Sequence, residues 1–263
     1  MRVDLHNHTK LCNHAEGEID DYIKRAIEQN IDIYGFSDHA PMRFDPKYRM
    51  DRDQADSYEK MIEEAKERYK GDIEILLGYE VDFLPNYLEE RILSAPVDYL
   101  IGSVHFLPQN GDLWGFDNPE FIGKWKSADV DEVYEKYFDA IEAMAKSGFF
   151  QIVGHLDLIK VFGHKPKKDI RLLAKKALAA IKKSGMAVEI SSAGLRKPVG
   201  EPYPSKELLE EIYALGIPVT FASDAHSPDQ VGFKQQQIYQ LAKSIGFSEQ
   251  AIFRQKQIQM LPL

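Results

Sequence analysis

The chain has a single cysteine, Cys12, among 263 residues. That excludes an intrachain disulfide and fits a reducing compartment. No apolar run approaches the length needed to span a bilayer. No apolar signal segment separates Met1-Arg2 from the first expected strand. A cytoplasmic protein without a membrane partner is therefore expected. Basic residues are in deficit, with 33 Lys and Arg against 42 Asp and Glu, a net charge of -9. Nucleic acid is not an expected partner, because proteins that bind it usually present a basic patch or stripe. A local cationic site remains compatible with that balance. Repeats, low-complexity stretches and linkers are absent. The hydrophobic share of 44% is enough for a sizeable core, and residues 1–263 are expected to form one domain.

What the chain does contain is a regular alternation. Apolar runs at about 2–6, 32–37, 73–81, 98–104, 150–154, 186–191 and 217–223 have the continuous character of buried parallel strands. Helical stripes lie between them, for example Val130, Val133, Tyr137, Ile141 and Met144 before Gly148. Asn86, Asp169 and Ser205 stand at helix starts, and Gly148, Gly185, Gly216 and Gly246 at helix ends. Strand–helix alternation over ~250 residues predicts an α/β fold of (β/α)-barrel size. Seven units predict a distorted seven-stranded (β/α)7, TIM-like barrel. A doubly wound open sheet is the competitor, but polar residues end nearly every strand, which suits a ring better than one crevice. Two long connections, 40–56 and 106–128, are expected to shape the mouth of a site.

The histidines follow the same rhythm. His6, His8, His39, His105, His155 and His226 each close an apolar run, and His14 lies in the loop after the first. In Asp4-Leu5-His6-Asn7-His8, period-two alternation puts both imidazoles on one side, toward the barrel axis. Gly78-Tyr79-Glu80 and Ser223-Asp224 bring carboxylates to the same rim. One such histidine alone is as readily a hydrogen-bonded core residue. Seven together with Glu80 and Asp224 form a nine-ligand N/O set, too many for one ion and suited to two or three. His164, in a Gly/Lys/Pro loop, is the exception and is expected at the surface without a metal. Cys12 is expected to pack beside the site.

These motifs resemble the polymerase-and-histidinol-phosphatase (PHP) superfamily. The likeness runs through HNH at 6–8, His14, SDH at 37–39, GYE at 78–80, GSVH at 102–105, GH at 154–155 and SDAH at 223–226. Within it, IGSVHF at 101–106, GHLDLIK at 154–160 and SSAGLR at 191–196 are similar to the histidinol-phosphate phosphatases. The resemblance implies a PHP barrel and three divalent ions, whether Zn, Fe or Mn. One would be held by His6, His8, Glu80 and Asp224. A second would share Glu80 and take His105 and His155. A third would take His14, His39 and His226. One departure is Lys160, where many relatives carry arginine: the charge is kept and the bidentate fork is lost.

The implied reaction is hydrolysis of L-histidinol phosphate, a small-molecule phosphate monoester of histidine biosynthesis, by a metal-bridging hydroxide. Three divalent ions against two carboxylates leave a net positive centre that suits a dianion. Arg196, just past the sixth strand, is the first candidate phosphate ligand and catalytic residue, followed by Lys160 and Arg43. Asp38 is expected to orient His39 or to assist proton transfer. No donor for the leaving alkoxide stands out. Phe106 and Trp114 are candidates either for stacking on the imidazole of the substrate or for core packing. The competing readings are a PHP phosphoesterase acting on nucleotides or nucleic-acid 3′ ends, a non-catalytic metal-binding protein, and a barrel amidohydrolase. The small basic run Lys165, Lys167, Lys168 and Arg171 is read as a solvated face.

Overall fold

The seven apolar runs pair as parallel neighbours. They are β1 (Val3–Asp4), β2 (Ile33–His39), β3 (Glu74–Asp82), β4 (Tyr99–Ser103), then, past a two-stranded excursion of β5 (Phe106–Gln109) and β6 (Asp112–Gly115), β7 (Ile152–Val153), β8 (Ala187–Ser191) and β9 (Val219–Ala222). The computed structural model describes residues 1–109 and 111–263. The sheet order is β1-β2-β3-β4-β7-β8-β9. Its two ends then meet: Leu5 N–H donates to Phe221 O at 2.9 Å, Asp224 N–H to His6 O at 2.7 Å and His8 N–H to Ala225 O at 2.9 Å. Closure removes both sheet edges. The arrangement is a seven-stranded parallel barrel, not the open sheet.

Alternation along each strand separates two cores. Tyr34 and Phe36 of β2, Ile75, Leu77 and Tyr79 of β3, and Val188 and Ile190 of β8 pack outward against the helices. Ile33, Leu76, Tyr99, Ile101, Ile152 and Ala187 point into the barrel. Following the inward positions upward, the side chains turn polar. On β3 the order is Leu76, Gly78, Glu80, Asp82; on β4 and just beyond it is Tyr99, Ile101, Ser103, His105. Tyr99 occupies the waist, where its hydroxyl donates to Leu5 O at 2.7 Å. Gly35 and Gly78 make room for it: a Cβ at Gly78 would lie within 2.5 Å of the Tyr99 ring, and one at Gly35 would overlap its hydroxyl. The barrel is thus apolar below and hydrophilic above.

Helices α1 (Ile19–Glu28), α2 (Ala55–Arg68), α3 (Glu90–Leu93), α4 (Val130–Ser147), α5 (Ile170–Ser184), α6 (Lys206–Ala214) and α7 (Gln235–Ile245) cover the outside. Their ends follow local chemistry. Asp129 caps α4 by accepting from Asp131 and Glu132 N–H, and Asp169 caps α5 by accepting from Arg171 N–H. Gly148 and Gly185 close these helices at φ +76°. Asn86 does not cap α3: it lies in a short 3-10 turn at Pro85–Tyr87, and the helix starts after Glu89. Ser205 stands at the start of α6, but its side chain makes no capping bond. Among the described residues no helix is long and apolar enough to cross a membrane.

One element was not expected. β10 (Glu249–Arg254) and β11 (Gln257–Pro262) form an antiparallel hairpin, and Ala251, Ile252 and Phe253 close the apolar end of the barrel. Its turn, Gln255-Lys256, has φ +50° and +62° without the Gly or Asn that usually marks such a turn. Phe253 is buried against the barrel interior. Phe253→Ala is expected to lower unfolding free energy by about 3–5 kcal/mol in urea titrations. Metal content of the folded fraction should stay unchanged, because the plug lies at the opposite end from the histidines.

Candidate metal centre

The strand register assembles the site around Glu80. Residue His39 is the register partner of Glu80 across β2 and β3. The Glu80 carboxylate is buried, and five imidazole nitrogens approach it: His39 Nδ1 at 2.8 Å, His155 Nε2 at 3.0 Å, His6 Nε2 at 3.4 Å, His105 Nε2 at 3.5 Å and His8 Nε2 at 3.7 Å. A second carboxylate, Asp224, lies 3.1 Å from His8 Nε2 and 3.5 Å from His226 Nδ1. On the outer side, His226 Nε2 faces His14 Nε2 at 3.0 Å. Five groups of ligand atoms lie within 4.8 Å of one another among the described residues: His6, His8 and Asp224; His6, Glu80 and His155; His8, His39 and Glu80; His14, His39 and His226; and His8, Cys12 and His226. His105 joins through Glu80. All nine candidate ligands therefore meet at the polar end of the barrel.

Two of these residues sit in unusual backbone conformations. His155 has φ +21° and Asp224 has φ +51°. Such residues persist where their surroundings over-determine them. At His155, the N–H donates to Glu189 Oε1 at 2.7 Å and the carbonyl accepts from Leu158 N–H at 2.8 Å and Tyr137 Oη at 3.2 Å. At Asp224, the N–H is held by His6 O and the carbonyl by Arg196 Nη2.

The electrostatics suit a cation. Burial alone would raise the Glu80 pKa, but the His39, His6 and His105 imidazoles outweigh it and hold the group well below the usual carboxylate range. Asp224 is lowered in the same way against its burial, by His6, His8 and His226. Burial pushes His39 and His226 well below the ordinary imidazole value, so both present free lone pairs at neutral pH. Burial opposes protonation of His6 and His105 too, but Glu189 and Glu80 raise the first, and Asp82 and Glu80 raise the second to about 9. Ionised carboxylates and neutral imidazoles are the forms that bind divalent metals, so a metal binding here would displace the protons that the carboxylates hold on His6 and His105. The donors also fit one: buried His6 Nε2, His39 Nδ1 and His155 Nδ1 make no aligned hydrogen bond among the described residues. His6 Nε2 and His39 Nδ1 face the Glu80 carboxylate instead, as ligands sharing an ion do.

The cluster forms the floor of a cavity of about 710 Å³, within the range of small-molecule sites. Its walls come from the two long connections. The first supplies Phe44, Asp45, Tyr48 and Arg49; the second supplies Phe106, Leu113, Asp117 and Phe121.

The sequence profile of the PHP domain matches residues 4–193. The chain belongs to the PHP domain family. It is similar to the probable histidinol-phosphatase of Deinococcus radiodurans, with 36% identity over 261 residues, 97% of this chain and 98% of that one. It is also similar to the histidinol-phosphatase of Bacillus subtilis, with 31% identity over 89% of this chain and 96% of that one. Among solved structures, the histidinol phosphate phosphatase of Lactococcus lactis, crystallised with zinc, L-histidinol and phosphate, superposes with a TM-score of 0.80. It shares 20% identity, and 98% of each chain is covered. At that identity the likeness speaks for the fold.

Around the histidine cluster, this PHP domain treats the other expected site residues unevenly. Arg196 lines the cavity. Its Nη2 donates to Ser223 O and Asp224 O, both at 2.9 Å, while Nη1 has no partner among the described residues. Asp38 is fully buried behind His8 and does not reach the cavity: it accepts from His39 N–H at 2.9 Å and faces His8 Nδ1 at 3.3 Å. It therefore orients the His8 ring, not that of His39, and has no route to a substrate. Lys160 is likewise withdrawn. Its ammonium lies 2.9 Å from Asp157 Oδ2 and donates to Pro202 O at 2.9 Å, because a buried lysine needs a buried counter-charge. Arg43 is 71% exposed and approaches only Glu89, at 3.6 Å. Trp114 is core, edge-on to Trp125, whereas Phe106 faces the cavity. His164 stacks on Trp125 at 4.6 Å, away from the histidine cluster. Cys12 donates to Thr9 O at 3.1 Å, and burial raises its thiol pKa, so the neutral thiol packs beside His8.

Two carboxylates escaped the sequence reading. Glu189 lies inside β8, where Oε2 meets His6 Nδ1 at 2.8 Å and Oε1 accepts His155 N–H. Asp82 lies two residues beyond Glu80 on the same face, 2.6 Å from His105 Nδ1, and is paired to Arg49. Each fixes which imidazole nitrogen is left for a metal. A charge in the middle of an apolar strand, Ala-Val-Glu-Ile-Ser, was the available signal. Glu189→Gln keeps the shape and removes the charge. It is expected to weaken metal affinity about 10- to 100-fold in chelator competition, with little change in Tm of the metal-free protein.

Proposed function

We propose that this PHP domain is a metal-dependent phosphomonoesterase that hydrolyses L-histidinol phosphate to L-histidinol and inorganic phosphate. The observation that carries the reading is a single arrangement. A nine-ligand histidine–carboxylate floor lies beside a guanidinium nitrogen, Arg196 Nη1, that has no protein partner. The relatives support the substrate. Both curated relatives cited above are named histidinol-phosphatases, and the Lactococcus protein holds zinc, L-histidinol and phosphate together.

In this reading His6, His8, Glu80 and Asp224 would hold one ion, Glu80, His105 and His155 a second, and His14, His39 and His226 a third. Zn, Fe and Mn all match such donors. Bound divalent ions supply Lewis-acid charge for the phosphoryl oxygens and make water a competent nucleophile near neutral pH. The chain's own residues do the remainder. Glu189, Asp38 and Asp82 aim the His6, His8 and His105 rings. Arg196, anchored on the carbonyls of Ser223 and Asp224, presents Nη1 to a phosphate oxygen. Asp45 and Asp117 line the cavity beside Phe44 and Phe106. That wall complements a substrate with an ammonium group and an imidazole at the end opposite its phosphate.

The nucleic-acid alternative loses support. The basic run is engaged elsewhere: Lys165 pairs with Glu201, Lys168 with Glu135 and Arg171 with Asp169. Phosphate release from histidinol phosphate, AMP and a short single-stranded oligonucleotide tests the assignment, with metal analysis of the same sample. Histidinol phosphate should be strongly preferred; preference for either nucleotide substrate would overturn the reading. Chelation should abolish release, and re-addition of Mn or Zn should restore it. Arg196→Ala should lower kcat/KM about 10- to 100-fold beyond any loss of metal measured on the same sample, since Arg196 also holds the Asp224 carbonyl.

A further inference from the structure

One polar group in the cavity wall is not used by the fold. Tyr203 is held by its backbone: Ser191 N–H donates to Tyr203 O at 2.6 Å, and Tyr203 N–H donates to Ser191 O at 3.0 Å. This bridge pins the residue at the upper end of β8. The side chain is fully buried, edge-on to His155 with ring centroids 6.4 Å apart. Gly194 packs beside it: a Cβ there would overlap Glu201 O at 2.0 Å and lie 3.1 Å from the Tyr203 Cζ. Yet Tyr203 Oη has no hydrogen-bond partner among the described residues.

The other buried tyrosines show how unusual this is. Tyr58, Tyr99 and Tyr137 donate to the carbonyls of Gly78, Leu5 and His155. Tyr134 donates to His164 O and Tyr239 to Gln250. Among the described residues, Tyr34 alone of the other buried tyrosines shares the unpartnered state, and it packs in the core between sheet and helices, outside the cavity. Tyr203 lines the cavity next to His155, Arg196 and Asp224. A buried hydroxyl without a partner calls for a specific explanation. The nearest one here is a ligand.

We propose that the Tyr203 hydroxyl donates a hydrogen bond to the phosphoryl group of the substrate, alongside Arg196 Nη1. The inference rests on the phosphomonoesterase reading and adds a residue to its phosphate subsite. Its neighbours decide which end of the substrate it meets. Its ring is edge-on to the floor histidine His155, and Asp224 and Arg196 act on it from the floor, where the phosphate would bind, while Asp117 acts on it from the opposite wall. A neutral donor to a dianion makes a charge-assisted bond, stronger than one between neutral groups. No proton is transferred in this role.

The test is Tyr203→Phe in metal-replete protein, which removes one oxygen that no protein group engages. Tm and metal content should stay at wild-type values. The kcat/KM for histidinol phosphate should fall about 10- to 100-fold, and the Kd for inorganic phosphate, from calorimetric titration, should rise in parallel. Wild-type kcat/KM and phosphate Kd in the variant would overturn the proposal. So would a loss of Tm or metal content that accounts for the lost activity, since the hydroxyl would then serve the fold. If wild-type protein does not turn over histidinol phosphate, the functional reading fails, while the comparison of phosphate affinities still decides the role of Tyr203.

Discussion

The architecture turns on one buried carboxylate. Glu80 is almost completely excluded from water, and a charge in that position is stable only with compensation close by. Five imidazoles provide it at 2.8 to 3.7 Å, from the ends of four different strands. Those strands, β1, β2, β4 and β7, flank β3 on either side in the sheet, and closure of the barrel between β9 and β1 adds Asp224 and His226 to the same end. The carboxylate therefore links topology to chemistry. The ring of strands brings the histidines within reach, and the histidines make the carboxylate tolerable and poised for a cation.

Around that centre the barrel is graded along its axis. The apolar end is plugged by Ile252 and Phe253, the waist is filled by Tyr99 against Gly35 and Gly78, and polar residues occupy the upper end. A second layer of carboxylates stands behind the ligands: Glu189 behind His6, Asp38 behind His8 and Asp82 behind His105. Each uses the ring nitrogen that a metal would not take. This leaves few free cations at the floor, and Arg196 stands out because the fold uses only one of its two terminal nitrogens. The acidic net charge of the chain and a phosphate-binding site are therefore compatible, because the positive charge is supplied locally.

Much of this was legible in the sequence. The apolar runs marked all seven barrel strands, since buried parallel strands are continuously hydrophobic. The histidine register marked the polar rim, and His164 stood apart in sequence as it does in space. The C-terminal hairpin was missed because Gln255-Lys256 turns without glycine or asparagine. Lys160 and Arg43 were misplaced for opposite reasons. Lys160 is drawn into a buried pair with Asp157, and Arg43 remains in solvent beside Glu89. A charge near a site in sequence does not reveal its partner.

Residue type and period by themselves determined the barrel strands, the set of nine candidate ligands and the rim on which they lie. Periodicity is a local property, and a chain segment carries it without its neighbours. What each ligand faces, and which polar groups are left unused, was decided only by the tertiary structure. The pairing of Glu189 with His6, the burial of Asp38, the half-engaged guanidinium of Arg196 and the unpartnered hydroxyl of Tyr203 all involve residues far apart in sequence. Hydrogen bonds of this kind depend on distances of a few tenths of an ångström between separate strands, and those distances exist only once the barrel has closed.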